Sequence, residues 1–159
     1  MSNIKKEDVL LAQKQWAEGL IAIGRASLNG EDFTAKAKTM LENLYGYHID
    51  DGIVLFKPTK AAQAPFRDTF ASALSYFVGG NDDFAEDQGF ALTPWLNIEF
   101  HNHNIYYHGD LAIVTGHYLF TSTTNEVVKA EYTFGYVRDD QGQLKIVLHH
   151  SSLPFSNNA

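Results

Sequence analysis

The sequence predicts an α+β fold in which N-terminal helices pack inside a strongly curved antiparallel sheet, forming a cone-shaped barrel. Three observations support this fold class. Apolar residues recur with helical spacing in the first half of the chain, four long strand-like segments follow one another in the second half, and short polar turns separate those segments. Helices followed by strands are typical of α+β folds, and a strongly bent sheet around helices encloses a pocket.

Three helices are predicted before the main strands. Lys6 to Ser27 carries a broad apolar stripe that ends at Asn29-Gly30, and Glu31 to Tyr45 carries a second stripe that Gly46 stops. Pro65 to Val78 has a proline in its first turn and two glycines after its last residue. Each helix therefore has an apolar face to bury against the sheet.

A short strand and a long loop separate these helices from the antiparallel meander. Ile53 to Pro58 reads as a short strand that the proline ends or places at an edge. Asn81 to Pro94 is a long polar loop, and loops of this length are often functional. The four strands predicted after the loop are Leu96 to Tyr107, Leu111 to Thr121, Glu126 to Arg138 and Leu144 to Leu153.

The length and composition predict a single cytoplasmic domain, residues 1–159, with a core of about residues 6–155. The formal charge is -7 and no Lys/Arg cluster follows Lys5-Lys6, which argues against nucleic acid as a partner. Cysteine is absent, so disulfides, thiolate metal sites and cysteine nucleophiles are excluded. No secretory segment and no membrane-spanning apolar run is visible, so no membrane partner is expected.

Four side chains that can donate, accept or transfer protons end the last strand: His149, His150, Ser151 and Ser152. Strand alternation places His150 and Ser152 on the same face as the aliphatic residues of this strand, so they are expected to face the interior. A β-bulge near the strand end would exchange the faces and favour His149 and Ser151 instead. The alternative to a pocket floor is a polar strand end that caps the sheet.

Three further residues are candidates for the pocket. Tyr76, near the end of the third predicted helix, can place its phenol into the pocket as a donor with an ordinary pKa near 10. Thr59 offers a hydroxyl directly after the first short strand. Either residue could instead be structural, as a core aromatic or a helix cap. Glu131 is either solvated or an inward carboxylate.

A metal site is the alternative chemistry. His101 and His103 alternate on the first long strand, so both imidazoles would share a face at a spacing of roughly 7 Å. Glu99 or His149 would have to supply a third ligand, and without cysteine the ligands to Zn²⁺ or Mn²⁺ would all be nitrogen or oxygen. A solvated or hydrogen-bonded histidine pair is the simpler interpretation.

Five short motifs, in this order, resemble those of the iota-class carbonic anhydrases. That class is built on the fold of the calmodulin-dependent kinase II association domain, within the nuclear-transport-factor-2-like superfamily. The motifs are Phe56-Lys-Pro-Thr59, Phe66-Arg-x-Thr69, Ser75-Tyr-Phe-Val-Gly-Gly80, Glu131-Tyr-Thr-Phe-Gly-Tyr136 and Leu148-His-His-Ser-Ser-Leu-Pro154. The resemblance covers roughly Lys6 to Phe155 and is strongest to the cyanobacterial and bacterial single-domain members.

The resemblance implies a homodimer that hydrates CO2 reversibly to bicarbonate, in a class described both as metal-dependent and as metal-free. For the metal-free form, which we expect here, the resemblance assigns the site to Thr59, Tyr76 and one serine. Strand alternation favours Ser152, whereas counting from Tyr76 favours Ser151. We expect the hydroxyls to stabilise charge on the CO2 oxygens, and His149 or His150 to accept the proton of the attacking water.

Two other classes of protein fit the same fold. The chain could be a non-catalytic oligomerisation or small-ligand-binding module, which would have no need of the combined hydroxyl and imidazole set. It could also be an isomerase or dehydratase that acts on a hydrophobic ligand with a carboxylate base. Glu131 is the evident candidate for that base.

Overall fold

In a computed structural model that describes residues 3–156, helices come first and a curved sheet follows, which confirms the predicted α+β class. Phe90 and its neighbours form a short 3-10 turn within the loop before the long strands. The helices are α1 (Lys6–Leu28), α2 (Phe33–Leu44) and α3 (Phe70–Val78). The strands are β1 (Leu55–Lys57), β2 (Trp95–His108), β3 (Leu111–Ser122), β4 (Val127–Arg138) and β5 (Leu144–Ser152).

Side-chain caps determine where the helices begin. The Asp32 carboxylate accepts the backbone N–H of Ala35 at 3.0 Å at the start of α2. At the start of α3, the Thr69 hydroxyl accepts the N–H of Ser72, and the Ser72 hydroxyl accepts the N–H of Thr69. The predicted start of this helix at Pro65 is therefore wrong, because the backbone N–H of Arg67 is committed to the carbonyl of Phe56 at 2.7 Å.

The five strands form one open sheet in the order β1-β5-β4-β3-β2. The strands β2 to β5 are the predicted antiparallel meander, and β1 adds to it by pairing parallel with β5, with Phe56 opposite His149. A β-bulge interrupts the pairing of β4 with β5: Gly135 pairs with Leu148 but Tyr136 pairs with Ile146. One residue of β5 is therefore extra, and the strand changes face there.

A single side chain in α1 shows how strongly the sheet curves. The Trp16 ring lies 5.8 Å from Phe100 on β2, 5.7 Å from Tyr118 on β3, 6.1 Å from Phe134 on β4 and 5.8 Å from His149 on β5, between ring centroids. Four strands of a flat sheet would span about 14 Å. The sheet therefore wraps around α1, and the cone-shaped arrangement is confirmed although the barrel does not close.

Buried ionic contacts hold the loop Asn81 to Pro94 against the start of α3. Arg67 and Asp87, both with side chains 0% exposed, form two hydrogen bonds of 2.7 Å. The Glu86 carboxylate accepts three consecutive backbone N–H groups from the segment before α3. These contacts position Phe90, which the same loop carries into the core. Within residues 3–156, no helix is long and apolar enough to cross a membrane.

Candidate active site

The β-bulge in β5 decides which of the paired histidines and serines enter the core. His149 is 2% exposed and Ser151 is 1% exposed, whereas His150 is exposed and Ser152 is half-buried on the outer face. The expectation from simple alternation, that His150 and Ser152 face inward, is wrong because Val147 is an extra residue in the pairing with β4. The bulged alternative gives the observed faces.

Hydroxyl groups from β3, from β5 and from the turn after β1 meet at Ser151. The Tyr118 hydroxyl donates to Ser151 Oγ at 2.5 Å, and Thr59 Oγ1 lies 2.6 Å from the same oxygen. Thr59 reaches this position because β1 pairs parallel with β5, so the residues that follow β1 lie beside the end of β5. The Lys57 ammonium donates to the carbonyl oxygen of Ser151 at 2.9 Å and holds the same two segments together.

Tyr76 of α3 approaches this cluster from the opposite side. Its hydroxyl accepts the backbone N–H of Lys60 at 3.2 Å, and its ring stacks on Phe90 with centroids 5.5 Å apart. Burial raises the pKa of Tyr76 above the ordinary value of 10.0 that the sequence suggested. Tyr76 is therefore a protonated phenol at physiological pH and can act as a hydrogen-bond donor.

The His149 imidazole is enclosed by aromatic rings. It stacks between Phe56 at 4.8 Å and Phe134 at 4.0 Å, measured between ring centroids. Its Nε2 lies 3.1 Å from the Tyr118 hydroxyl and its Nδ1 lies 2.8 Å from the Tyr45 hydroxyl. Burial, with a smaller contribution from His150, lowers the pKa of His149 well below 6.5, so the imidazole is neutral.

The neutral His149 predicts a specific dependence of stability on pH. In the unfolded chain its pKa returns to about 6.5, so below that pH the unfolded state binds a proton that the folded state does not. The free energy of unfolding should therefore be constant above about pH 7 and fall below about pH 6.5 by up to roughly 1.4 kcal/mol per pH unit. Urea denaturation at a series of pH values measures this slope.

A His117→Gln variant is the control for this pH dependence, because desolvation, with smaller contributions from Lys129 and His101, also lowers the pKa of His117. The variant should keep the decline of the free energy of unfolding between about pH 6.5 and pH 5.5. A free energy that stays flat over this range in the unmutated protein would contradict a neutral, buried His149.

A small cavity lies at the hydroxyl cluster. The volume within which the centre of a water-sized molecule can move is about 10 Å³, which is close to what one water molecule needs. Aromatic side chains line most of it, and Thr59, Tyr76, His149 and Ser151 supply its polar atoms. Among the described residues, none with an ionised side chain lines this cavity. It therefore suits a small neutral molecule that accepts hydrogen bonds.

A wider cavity of about 370 Å³ adjoins the small one and shares Tyr76 and Phe90 with it. Lys60, Glu86 and Thr93 also line it, so it opens toward the polar surface. A larger cavity of about 630 Å³ lies between α1, α2 and the turn before β5, and contains none of the clustered hydroxyls. The clustered hydroxyls therefore line the smallest of these cavities.

The alternative metal site does not form. His101 and His103 are both exposed on the outer side of the sheet, and a second β-bulge leaves His103 unpaired with β3. His101 stacks on His117 at 4.8 Å and lies 3.1 Å from a Glu99 oxygen, whereas His149 is in the core. Between residues 3 and 156, no group of three His, Asp or Glu side chains could hold a metal ion.

The sequence analysis did not identify Tyr118, Tyr45 and Trp16 as parts of the site. Tyr118 carried a usable signal, since it alternates on β3 with the apolar residues Val114 and Phe120 and so faces the core. Tyr45 carried none, because it ends α2 and meets His149 only through the tertiary structure. Trp16 was visible only as part of an apolar stripe.

An aromatic cone with hydroxyls and a neutral imidazole around a very small cavity suits an enzyme that acts on small molecules. The sequence profile of the family described as metal-independent carbonic anhydrase matches residues 7–153. The chain belongs to this family, and the resemblance predicted from the motifs is confirmed. A metal-independent carbonic anhydrase of Nostoc sp. is 40% identical over 160 residues, covering 96% of this chain and 75% of that protein.

Solved structures agree with this assignment. A cyanobacterial iota-carbonic anhydrase in complex with bicarbonate is 39% identical, with a TM-score of 0.94 over 98% of this chain and 95% of that chain. A putative calmodulin-dependent kinase II association domain from Xanthomonas campestris shares the fold at 20% identity, with a TM-score of 0.59 over 96% of this chain and 89% of that chain. The predicted fold family is therefore also confirmed. The description of the enzyme family as metal-independent agrees with the predicted lack of a metal cofactor.

Proposed function

We propose that this protein hydrates CO2 reversibly to bicarbonate in the small cavity, without a metal ion. One observation carries the proposal. The hydroxyl oxygens of Thr59 and Tyr118 lie 2.6 and 2.5 Å from Ser151 Oγ, and all three side chains line a cavity with about 10 Å³ of free space. Membership of the metal-independent carbonic anhydrase family supports it. The likeness to a structure that binds bicarbonate supports the same substrate.

The cavity can favour the transition state through its donors. CO2 is neutral and apolar and enters an aromatic pocket at little cost, whereas negative charge develops on its oxygens as water attacks the carbon. Hydroxyl protons from Tyr76 and from one member of the hydrogen-bonded Thr59–Ser151 pair are positioned around the cavity to stabilise that charge. Because no cation faces the cavity from the described residues, bicarbonate is not held there by an ion pair and can leave.

Neither histidine is suited to accept the proton of the attacking water. His150 lies on the outer face of the sheet, and burial keeps the pKa of His149 well below its usual range. His149 Nδ1 is also occupied by the Tyr45 hydroxyl at 2.8 Å. We therefore assign His149 a hydrogen-bonding role and propose that the proton leaves to solvent through the wider cavity beside Tyr76.

Stopped-flow CO2 hydration with a pH indicator tests the function. Protein treated with a strong chelator should keep its full rate, because the reaction uses hydroxyl donors and not a metal-bound water. A zinc-dependent carbonic anhydrase treated in the same way is the control and should lose its rate. Loss of activity on chelation with recovery on adding zinc or manganese would contradict the metal-free mechanism.

The isomerase or dehydratase alternative has no support at the site. Glu131, its candidate base, is exposed on the outer face opposite Ser152, and the cavity is far too small for a steroid-like or polyketide ligand. Absence of CO2 hydration both with and without metal would instead favour the non-catalytic oligomerisation or ligand-binding module.

We also propose that the protein is a cytoplasmic homodimer. The resemblance to a class of homodimers supports it, and Tyr106 and Val127, each 60% exposed, lie at opposite ends of the outer face, so an interface that covers both would extend along the sheet. Sedimentation equilibrium at micromolar concentration tests the dimer, and a monomeric mass would contradict it. The cytoplasmic location stays a prediction that cell fractionation would check.

A further inference from the structure

A chain of hydrogen bonds runs from the core of the protein to the cavity. We call it the core-to-cavity chain, and its members are Trp16, Tyr45, His149, Tyr118, Ser151 and Thr59. The heavy-atom distances along it are 3.0, 2.8, 3.1, 2.5 and 2.6 Å. Tyr45 is buried and does not line the small cavity, so a role of Tyr45 in catalysis would have to act through the members that do.

The first member sets the direction of the chain. An indole N–H can only donate, so Trp16 donates to the Tyr45 oxygen. The Tyr45 hydroxyl proton must then find a different acceptor. Of its contacts within residues 3–156, His149 Nδ1 at 2.8 Å is the partner that remains. Tyr45 therefore donates to Nδ1, and Nδ1 is the unprotonated nitrogen of the imidazole.

The remaining protons follow from this tautomer. A neutral imidazole with an unprotonated Nδ1 carries its proton on Nε2 and donates to the Tyr118 oxygen. Tyr118 in turn donates to Ser151 Oγ. Ser151 keeps its own proton for Thr59 or for a molecule in the cavity. Each donor thus has an acceptor, and each proton points toward the cavity.

The opposite tautomer would conflict with the burial of this region. With a proton on Nδ1, the imidazole and the indole would both donate to Tyr45, and the Tyr45 proton would have no acceptor in a fully buried place. An unmet buried donor costs about 1–3 kcal/mol. The core-to-cavity chain cannot carry a proton from the cavity to the core, because the indole of Trp16 at its core end does not accept a proton.

We propose that Tyr45, held by Trp16, is a positioning residue that locks His149 in the Nε2–H tautomer and so keeps the Ser151–Thr59 pair oriented with one hydroxyl proton toward the cavity. The expected effect on the reaction rate rests on the proposed CO2 hydration, whereas the expected tautomer of His149 does not. An experiment can therefore contradict the tautomer and the proposed function independently.

The first test is the tautomer of His149 in the unmutated protein, measured by nitrogen-15 NMR on histidine-labelled protein. The proposal expects a protonated Nε2 and an unprotonated Nδ1. A protonated Nδ1, or a doubly protonated ring at neutral pH, would overturn it. An Nε2–H tautomer in a protein that does not hydrate CO2 would support the lock and remove the proposed function.

The second test compares two buried tyrosines. Tyr45→Phe removes the donor to His149. Tyr136→Phe removes a buried hydroxyl that has no hydrogen-bond partner among residues 3–156, and it serves as the matched control. Tyr45→Phe should redistribute the His149 tautomers and lower kcat roughly fivefold to tenfold, with KM for CO2 changed less than about twofold. Tyr136→Phe should change neither the tautomers nor kcat.

A Tyr45→Phe protein that matches Tyr136→Phe in both the tautomers and kcat would overturn the proposal. Equal losses of kcat in both variants would also overturn it, since the effect would then reflect general core packing. If Tyr45→Phe does not fold, the tautomer in the unmutated protein still decides the question.

Discussion

Replacing Ser151 with alanine should lower kcat/KM for CO2 hydration by roughly 100-fold or more. The Ser151 hydroxyl connects Thr59 with Tyr118 at 2.6 and 2.5 Å, so its loss removes one donor at the cavity and frees two others to reorient. Removal of one positioned donor from a site that stabilises developing negative charge typically costs about 10²–10³ in rate. Stopped-flow hydration with a pH indicator measures the loss directly.

Ser152→Ala is the matched control for this prediction, because Ser152 is the adjacent residue, of the same type, on the outer face of the same strand. It should stay within about twofold of the unmutated rate. Circular dichroism should show both variants folded. Equal activity of the two variants, or a larger loss in Ser152→Ala, would mean that the hydroxyl cluster is not the active site.

Replacing Asp87 with alanine should lower the free energy of unfolding by about 3–5 kcal/mol. The change leaves the Arg67 guanidinium, which is 0% exposed, without the carboxylate that accepts two of its hydrogen bonds. It also removes the acceptor of the Ser75 hydroxyl. Because the loop that carries Asp87 also positions Phe90 against Tyr76, CO2 hydration should weaken as well.

Two further variants distinguish the cost of leaving a buried charge unpaired from the cost of losing any ion pair. Glu18→Ala breaks an exposed ion pair, in which the side chain of Glu18 is 65% exposed and that of Lys14 is 72% exposed. This variant should lower the free energy of unfolding by less than about 1 kcal/mol. Arg67→Met combined with Asp87→Leu removes both buried charges and should recover most of the lost stability in urea denaturation. A similar cost for Asp87→Ala and Glu18→Ala would contradict the prediction.

Regular elements with strong periodicity could be predicted closely. The first helix was expected over Lys6 to Ser27 and spans Lys6–Leu28, and β3 was expected over Leu111 to Thr121 and spans Leu111–Ser122. Both have alternating or helical apolar patterns and are bounded by turn residues, so local sequence is sufficient. The start of α3 was misplaced because the backbone of Arg67 pairs with β1, a contact distant in sequence.

The sequence by itself determined the fold class, the enzyme family and six candidates for the site: Thr59, Tyr76 and the four residues from His149 to Ser152. These depend on patterns and motifs that are contiguous in the chain. Only the tertiary structure decided that His149 and Ser151 are inside and His150 and Ser152 outside. A β-bulge is a property of two paired strands, and a shift of one residue moves every later side chain to the opposite face.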